Sequence, residues 1–129
     1  YRINFLKREC NPDWWESLKE PDNDRACKGL PEDYSMEEIK NLKDSDYFNL
    51  GAAFYKYLCS EIRTDGEITA SRDKPDNWEA FRIIWLDDDK VALRDWNNKY
   101  WSCDPARNYR VFADKDSIGE REQFTLEYN

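Results

Sequence analysis

The stretch NKYWSCDPARNYRVFADKDSIGEREQFTLE, residues 98–127, decides the fold, because most of its pattern occurs earlier in the chain. YKYLCSEIRTDGEITASRDKPDNWEAFRII, residues 55–84, matches it at a fixed offset of 43 residues without a gap. At this offset apolar residues fall on apolar ones and charged residues on charged ones. The matches include Leu50 with Leu93, Lys56-Tyr57 with Lys99-Tyr100, Ile68 with Val111, Asp73 with Asp116, Glu79 with Glu122, Phe81 with Phe124 and Ile83 with Leu126. Self-similarity at one period predicts a repeated structural unit.

Each unit is predicted to contain four short strands. In the last unit KVALRDW (90–96) alternates apolar and polar residues, and Asn97-Asn98 supplies a hairpin turn. KYWSC, RVFAD and EQFTLEY follow as further strands, with a turn at Asp104-Pro105. The middle unit has the same order, with one of its turns at Asp65-Gly66. The pattern therefore favours an all-β domain.

Residues 1–43 match the other two units only loosely. Three times 43 equals 129, the length of the chain, so we predict a degenerate third copy with strands near 2–8 and 13–18. Two interpretations of residues 31–47 stay open. MEEIKNL (36–42) aligns with a strand of the middle unit after a one-residue slip, whereas Ser35 and Glu38 are spaced as a capping box that begins a helix. The strand is preferred, and the partly helical form is the alternative.

Three such units can close a barrel, whereas two leave open sheet edges. The sequence therefore predicts a single β-trefoil domain over 1–129, with repeats 1–43, 44–86 and 87–129. Residues at equivalent positions of the units should share one core. The predicted core is Leu50, Leu58, Ile68, Phe81, Ile83, Leu93, Trp101, Val111, Phe124 and Leu126.

The two stretches quoted above resemble the repeat of the fascin-like β-trefoils. That repeat has a Lys/Arg-Tyr-aliphatic strand, a small-residue strand ending in Ala-x-Arg/Lys, and a Glu-x-Phe strand. The resemblance covers residues 48–129 well and the first third faintly. It implies non-catalytic binding, since relatives of this type include actin cross-linkers, lectin-like trefoils and sugar-binding appendages of hydrolases. The Gln-x-Trp signature of ricin-type sugar-binding repeats is absent from this sequence.

Charge and composition disfavour several classes of function. The net charge of −8 is spread evenly along the chain, as −2, −3 and −3 over residues 1–43, 44–86 and 87–129. A basic stripe that could bind nucleic acid or an anionic membrane is therefore missing. No run approaches 18 consecutive apolar residues, so membrane insertion is not expected.

Catalysis and cofactor binding are not expected either. The chain has no histidine, which removes the ordinary Ser-His and Cys-His nucleophiles and the commonest metal ligand. Asp87–Asp89 and the pair Asp114/Asp116 could be compared with glycosidase carboxylates, but we interpret Asp87–Asp89 and Asp116 as turn residues. Glu79 and Glu122 recur beside core residues and are expected to accept hydrogen bonds from neighbouring turns.

The four cysteines, Cys10, Cys27, Cys59 and Cys103, allow two interpretations. One is an extracellular protein with one or two disulfides, such as Cys10–Cys27, and this is slightly favoured. The other is a cytoplasmic or cytoskeletal protein whose cysteines are small buried hydrophobes. The chain begins at Tyr1 rather than Met, which fits either a removed leader or a piece of a longer protein.

The candidate ligand site gathers around an exposed tryptophan. Trp96 lies at a hairpin rim where the middle unit has Ala53, and an exposed indole beside Asp and Asn can stack on a sugar ring while the polar groups bind its hydroxyls. The predicted ligand-binding residues are Asp95, Trp96, Asn97, Asn98, Asp104, Asn108 and the separate Trp14. Packing of the hairpin is the competing interpretation.

We expect a binding module without cofactors or metal. Carbohydrate or glycoprotein is the first expected ligand. An actin-associated fascin-like module is the second, and a structural subunit or inhibitor that docks on a protein is the third. In the third case the degenerate residues 1–47 would form the partner or oligomer contact, because this unit has fewer large apolar residues and should open most easily.

Overall fold

The computed structural model describes residues 3–9, 28–52, 56–73 and 77–127. Within these ranges it contains ten strands, one α-helix and four 3-10 helices. The strands are β1 (Asn4–Glu9), β2 (Lys28–Asp33), β3 (Asn49–Gly51), β4 (Tyr57–Glu61), β5 (Glu67–Arg72), β6 (Arg82–Trp85), β7 (Lys90–Arg94), β8 (Tyr100–Asp104), β9 (Arg110–Lys115) and β10 (Phe124–Thr125). The α-helix is α1 (Met36–Lys40), and the 3-10 helices are Ile62–Thr64, Asn77–Glu79, Pro105–Arg107 and Glu120–Glu122.

The strands form one antiparallel sheet that curls into a half-barrel. Its order is β10-β7-β8-β9-β5-β4-β3-β1-β2, and β6 pairs with β7 beside this path. The chain is thus mostly β, as the sequence predicts. No described helix is long and apolar enough to cross a membrane.

The bounds of the elements recur at 43 residues in the middle and last units. Strand β4 and the 3-10 helix Ile62–Thr64 coincide with β8 and Pro105–Arg107 after the shift, and β5 coincides with β9. Both β4–β5 and β8–β9 carry a register shift at the same place, after Tyr57 and after Tyr100. Short strands throughout the described part of 48–129 are therefore confirmed.

The middle and last units each make their second hairpin with two successive residues of positive φ. Asp65 and Gly66 have φ of 58° and 81°, and Asn108 and Tyr109 have 59° and 60°. Asp, Asn and Gly tolerate this conformation best, which explains why the Asp65-Gly66 pair was recognisable as a turn. Gly66 has a further constraint, because a Cβ on it would lie 2.5 Å from the carbonyl oxygen of Ala113.

All ten residues of the predicted core belong to one cluster, so that prediction is confirmed. Six of them are buried, and Ile68, Val111, Phe124 and Leu126 are half-buried and packed against the rest. Trp101, which replaces Leu58 of the middle unit, contacts the Phe81 ring edge-on at 5.1 Å. The cluster also contains residues that the repeat comparison did not select, namely Phe5, Ile39, Leu42, Phe48, Val91 and Ala113.

The strand interpretation of MEEIKNL is wrong for Met36–Lys40, which forms α1. The Ser35 side chain accepts from the Glu38 N–H, and the Glu38 carboxylate accepts from the Ser35 N–H, each at 3.2 Å. This reciprocal cap satisfies two N–H groups that a helix start otherwise leaves unpaired, and it outweighs the weak alignment with a strand. The helical alternative for part of 31–47 is the correct one.

Strand β1 takes the place beside β3 that a closing strand of the first unit would occupy. In the last unit Leu93 of β7 pairs with Ile83 of β6, and at the equivalent position Leu50 of β3 pairs with Phe5 of β1. A strand near 2–8 is thus present as β1, whereas the strand predicted at 13–18 lies outside the described residues. The described strands make a half-barrel and do not by themselves establish three equal repeats.

Candidate functional site

A shallow pocket of about 380 Å³ lies where the middle unit meets the last unit. The junction is held by a backbone hydrogen bond of 2.8 Å from the Ala113 N–H to the Gly66 carbonyl, and by the pairing of β5 with β9. The middle unit contributes Ser60, Asp65 and Gly66 to the lining, and the last unit contributes Asp95, Trp96, Asn97, Lys99, Arg107, Ala113 and Asp114.

Asp95 forms the floor of this region and is only 3% exposed. Its Oδ1 accepts from the N–H groups of Asn97 and Lys99, both at 2.9 Å, which fixes the β7–β8 hairpin turn. Its Oδ2 accepts from the Ser60 hydroxyl of the middle unit at 2.7 Å. Burial raises the pKa of Asp95, although these three hydrogen bonds act in the opposite direction. Asp95 therefore shapes the site and joins the units, and both of its oxygens are already engaged.

Trp96 and Asn97 follow Asp95 directly and line the pocket. Trp96 is half-buried and Asn97 is exposed. The turn that Asp95 holds sets the backbone of both residues, so an aromatic side chain and an amide are presented at one rim. An indole beside a polar rim provides an apolar surface and hydrogen-bonding groups together.

Asp114 and Arg107 supply the charged wall of the pocket. Arg107 Nη1 donates to Asp114 Oδ2 at 3.0 Å, and the same guanidinium lies over the Phe112 ring, 4.3 Å from its centre. The other oxygen of Asp114, Oδ1, is buried and has no hydrogen-bond partner in the described part of the chain. Since buried polar atoms are normally paired, this carboxylate retains capacity to accept one hydrogen bond.

The remaining predicted site residues lie elsewhere. Asn98, at φ 60°, accepts through Oδ1 from Arg82 and from Arg94 Nη2. Asp104 begins the 3-10 helix Pro105–Arg107 by accepting from the Ala106 N–H at 2.9 Å. Asn108 is an exposed turn residue, and none of these three lines the pocket. Trp14 lies outside the described residues.

The structure thus brings together Asp95, Trp96 and Asn97 from the predicted set and adds residues that the sequence comparison missed. Ser60, Lys99 and Asp114 all line the pocket. Ser60 is separated from Asp95 by 35 residues, and the repeat alignment gives no signal for a contact between units. Lys99 and Asp114 belong to predicted strands, where a charged side chain is ordinarily exposed to solvent and gives no indication of a site.

Apart from Asp114, the acidic residues considered for catalysis or for turn hydrogen bonds lie in bends or in short 3-10 helices. Glu122 is 8% exposed and accepts from the Gly119 N–H at 2.9 Å and the Ser102 hydroxyl at 2.8 Å, which confirms the expected role in its turn. Asp87–Asp89 are exposed in the bend between β6 and β7. In the described part of the chain no group of three or more Cys, Asp and Glu residues is arranged to hold a metal ion.

The cysteines divide between described and undescribed parts of the chain. Cys59 and Cys103 are both free thiols, Cys59 being buried and Cys103 partly exposed. Burial raises the pKa of the Cys59 thiol to about 12, and the negative charge of Glu79 acts in the same direction. The predicted Cys10–Cys27 disulfide lies outside the described residues.

Comparison with known proteins adds no assignment. No protein-family model matches the sequence, and no curated protein is similar to it at a significant level. The class that the fold and the pocket define is a mostly β protein with a curled half-barrel sheet and a polar pocket between two similar units.

Proposed function

We propose that this protein is a non-catalytic carbohydrate-binding module, built on a β-trefoil plan, whose ligand sits at the pocket between the middle and last units. The observation that carries the proposal is the lining of the pocket, which contains the half-buried Trp96, its neighbour Asn97, and Asp114, whose Oδ1 has no hydrogen-bond partner among the described residues.

A sugar ring has one apolar C–H face and several hydroxyl groups at its edge. The indole of Trp96 matches the face, and the amide of Asn97 and the carboxylate of Asp114 match hydroxyl donors and acceptors. Lys99 and Arg107 add donors to the same lining.

The β-trefoil plan is supported by the 43-residue recurrence of strands, bulges and 3-10 helices over 48–127. An extracellular location goes with glycoprotein as the target. The actin-associated alternative is weaker, because an acidic domain of net charge −8 is poorly matched to an acidic filament. Docking of a protein partner on residues 1–47 is the third proposal.

The decisive experiment is a glycan array run in parallel with actin co-sedimentation. We expect the protein to bind one class of glycan and to stay in the supernatant with actin filaments. Trp96→Ala should lower glycan affinity by about 2- to 10-fold, since an aromatic contact contributes roughly 0.5–1.5 kcal/mol beyond its area, and Trp96→Phe should restore part of it.

Tyr109→Ala is the matched control. Tyr109 is an aromatic residue, 70% exposed, that does not line the pocket, so its removal should leave glycan binding unchanged. A folded protein that binds no glycan on the array would rule out the carbohydrate proposal. Equal loss in Trp96→Ala and Tyr109→Ala would instead show that the pocket is not the site.

A further inference from the structure

A second cavity, of about 490 Å³, opens inside the half-barrel on the side of β1, α1 and β10. Its walls are mainly apolar side chains from six strands, from α1 and from the segment after β10, among them Phe5, Ile39, Leu50, Leu93, Val111 and Leu126. It shares no residue with the pocket between the units. A cavity of this size with mostly apolar walls is typical of a small-molecule site.

One residue of this wall carries a buried polar atom that has no hydrogen-bond partner among the described residues. Trp101 lines the cavity and is only 4% exposed, yet its indole Nε1 has no hydrogen-bond acceptor among the described residues. The ring itself is held by edge-on contacts with Phe81 and Phe124, at 5.1 and 6.3 Å between ring centres. Buried tryptophan N–H groups usually find an acceptor, because leaving one unpaired in an apolar environment is unfavourable.

Acidic residues stand around the cavity. Asp33 and Glu127 belong to its lining and are exposed, and none of the described Lys and Arg residues lines it. The protein as a whole carries a net charge of −8. An anionic amphiphile such as a fatty-acid carboxylate would be repelled there, whereas a neutral apolar molecule would not.

We propose that the half-barrel cavity binds a neutral apolar small molecule that carries one hydrogen-bond acceptor, such as an ester or ketone oxygen, and that this oxygen accepts from Trp101 Nε1. The apolar part of the ligand replaces solvent against Leu50, Leu93 and Leu126. The site is independent of the glycan pocket, so either proposal can fail without the other.

The test uses the neutral fluorescent probe N-phenyl-1-naphthylamine with the full chain. We expect its emission to rise on binding and to be reversed by methyl decanoate at lower concentration than by decanoate, which has the same chain but a negative charge at pH 7. No rise in emission with folded protein would overturn the proposal. Equal displacement by ester and anion would overturn the selection for neutral ligands.

Two variants separate the cavity from the hydrogen bond. Trp101→Phe keeps an aromatic ring and removes the N–H, so it should retain the probe but weaken methyl decanoate by about 2- to 10-fold, the range for a single hydrogen bond. Unchanged ester affinity would overturn the role of Nε1. Val111→Phe adds a ring at a half-buried lining position and should abolish probe binding by filling the space.

Controls keep each outcome interpretable. Near-ultraviolet circular dichroism reports whether each variant keeps its packing, and Leu126→Phe serves as a second cavity-filling variant if Val111→Phe does not fold. Leu86→Ser changes an apolar residue that is 39% exposed and does not line the cavity. Its probe binding should equal that of the unmodified protein, and a loss there matching the loss in Val111→Phe would contradict binding inside the half-barrel.

Discussion

The middle and last units have several backbone hydrogen bonds and turns in common but differ in the side chains at their junction. The Phe48–Phe81 bridge of the middle unit recurs as the Val91–Phe124 pairing, and the Lys56–Asp73 ion pair recurs as Lys99–Asp116, each shifted by 43 residues. The hairpin hydrogen bond from Ala52 N–H to Lys56 likewise recurs from Asp95 to Lys99. Backbone geometry and turn contacts are therefore common to both units.

The differences lie in side chains at the junction between the units and at the rim. The dipeptide Cys59-Ser60 of the middle unit is reversed to Ser102-Cys103 in the last unit. The Ser102 hydroxyl consequently donates to Glu122 of its own unit, whereas the equivalent Cys59 lies near Glu79. The Ser60 hydroxyl of the middle unit donates to Asp95 of the last unit. Side chains at these two neighbouring positions thus form a hydrogen bond either within their own unit or between the two units.

Phe81 and Phe124 occupy equivalent positions of the middle and last units, and the largest expected effect tests whether they contribute equally to the free energy of unfolding. Phe81→Ala removes a ring that is 0% exposed and should lower the free energy of unfolding by about 3–5 kcal/mol. Phe124→Ala removes a half-buried ring and should lower it by less. Urea denaturation of both variants gives the two values, and equal losses would contradict the asymmetry of burial.

The second expected effect concerns the turn residues that adopt positive φ. Gly66→Ala places a Cβ 2.5 Å from the Ala113 carbonyl oxygen at φ 81°, so it should destabilise the protein by roughly 1–3 kcal/mol. Tyr109→Gly, at the equivalent position, relieves a non-glycine residue at φ 60° and should be neutral or slightly stabilising. Thermal unfolding of both variants is the measurement.

A similar loss in the two turn variants would contradict the assignment of Gly66 to the junction. Tyr109 is 70% exposed, so no contact with another unit is expected to be lost there. The comparison therefore isolates what the close approach of Gly66 and Ala113 contributes.

The third prediction follows from the reversed dipeptide. Ser102→Ala removes a hydroxyl that donates at 2.8 Å to the buried Glu122, which should cost about 1–3 kcal/mol because a buried carboxylate loses a donor. Cys59→Ser introduces the same hydroxyl near Glu79 and should be close to neutral. Equilibrium unfolding in urea checks both, and a larger loss in Cys59→Ser than in Ser102→Ala would show that the two glutamates are not equivalent.

Much of this fold could be predicted from the sequence, because aligning the middle and last units indicates where each strand begins and ends. Leu50, Phe81 and their partners at 43 residues distance identified the strands and the core without any knowledge of contacts. The sequence comparison does not favour α1, because the capping box is a short local signal and the weak alignment with the other units predicts a strand at the same place. Local hydrogen bonds determined the structure there.

The candidate site was less accessible for a different reason. Asp95 was expected to bind ligand, but its environment depends on Ser60, which comes from another unit. Asp104 and Asn108 are close to Trp96 in sequence, yet β8 carries them to the far hairpin. Contacts between units leave no trace in a comparison that aligns the units with one another.

The smallest expected effect is a difference in pH dependence between two aspartates. Burial raises the pKa of Asp95 above its ordinary 3.8, so the folded state binds a proton more readily than the unfolded state. The contribution of this carboxyl to stability is therefore full below 3.8 and is lost as the pH rises through the raised pKa. In the middle unit the equivalent residue, Ala52, has no carboxyl group.

Urea unfolding of the unmodified protein and Asp95→Asn between pH 3 and 7 should show this sign: the stability difference, unmodified minus variant, should fall as the pH rises above about 4. Asp73→Asn is the matched control of opposite sign. Its hydrogen bond with Lys56 lowers the pKa of Asp73, so that difference should disappear in acid, grow as the pH rises towards about 4, and stay constant above it. If the Asp95 difference also grew with pH, the three hydrogen bonds to its carboxylate would outweigh burial, and the floor of the pocket between the units would carry a stable negative charge.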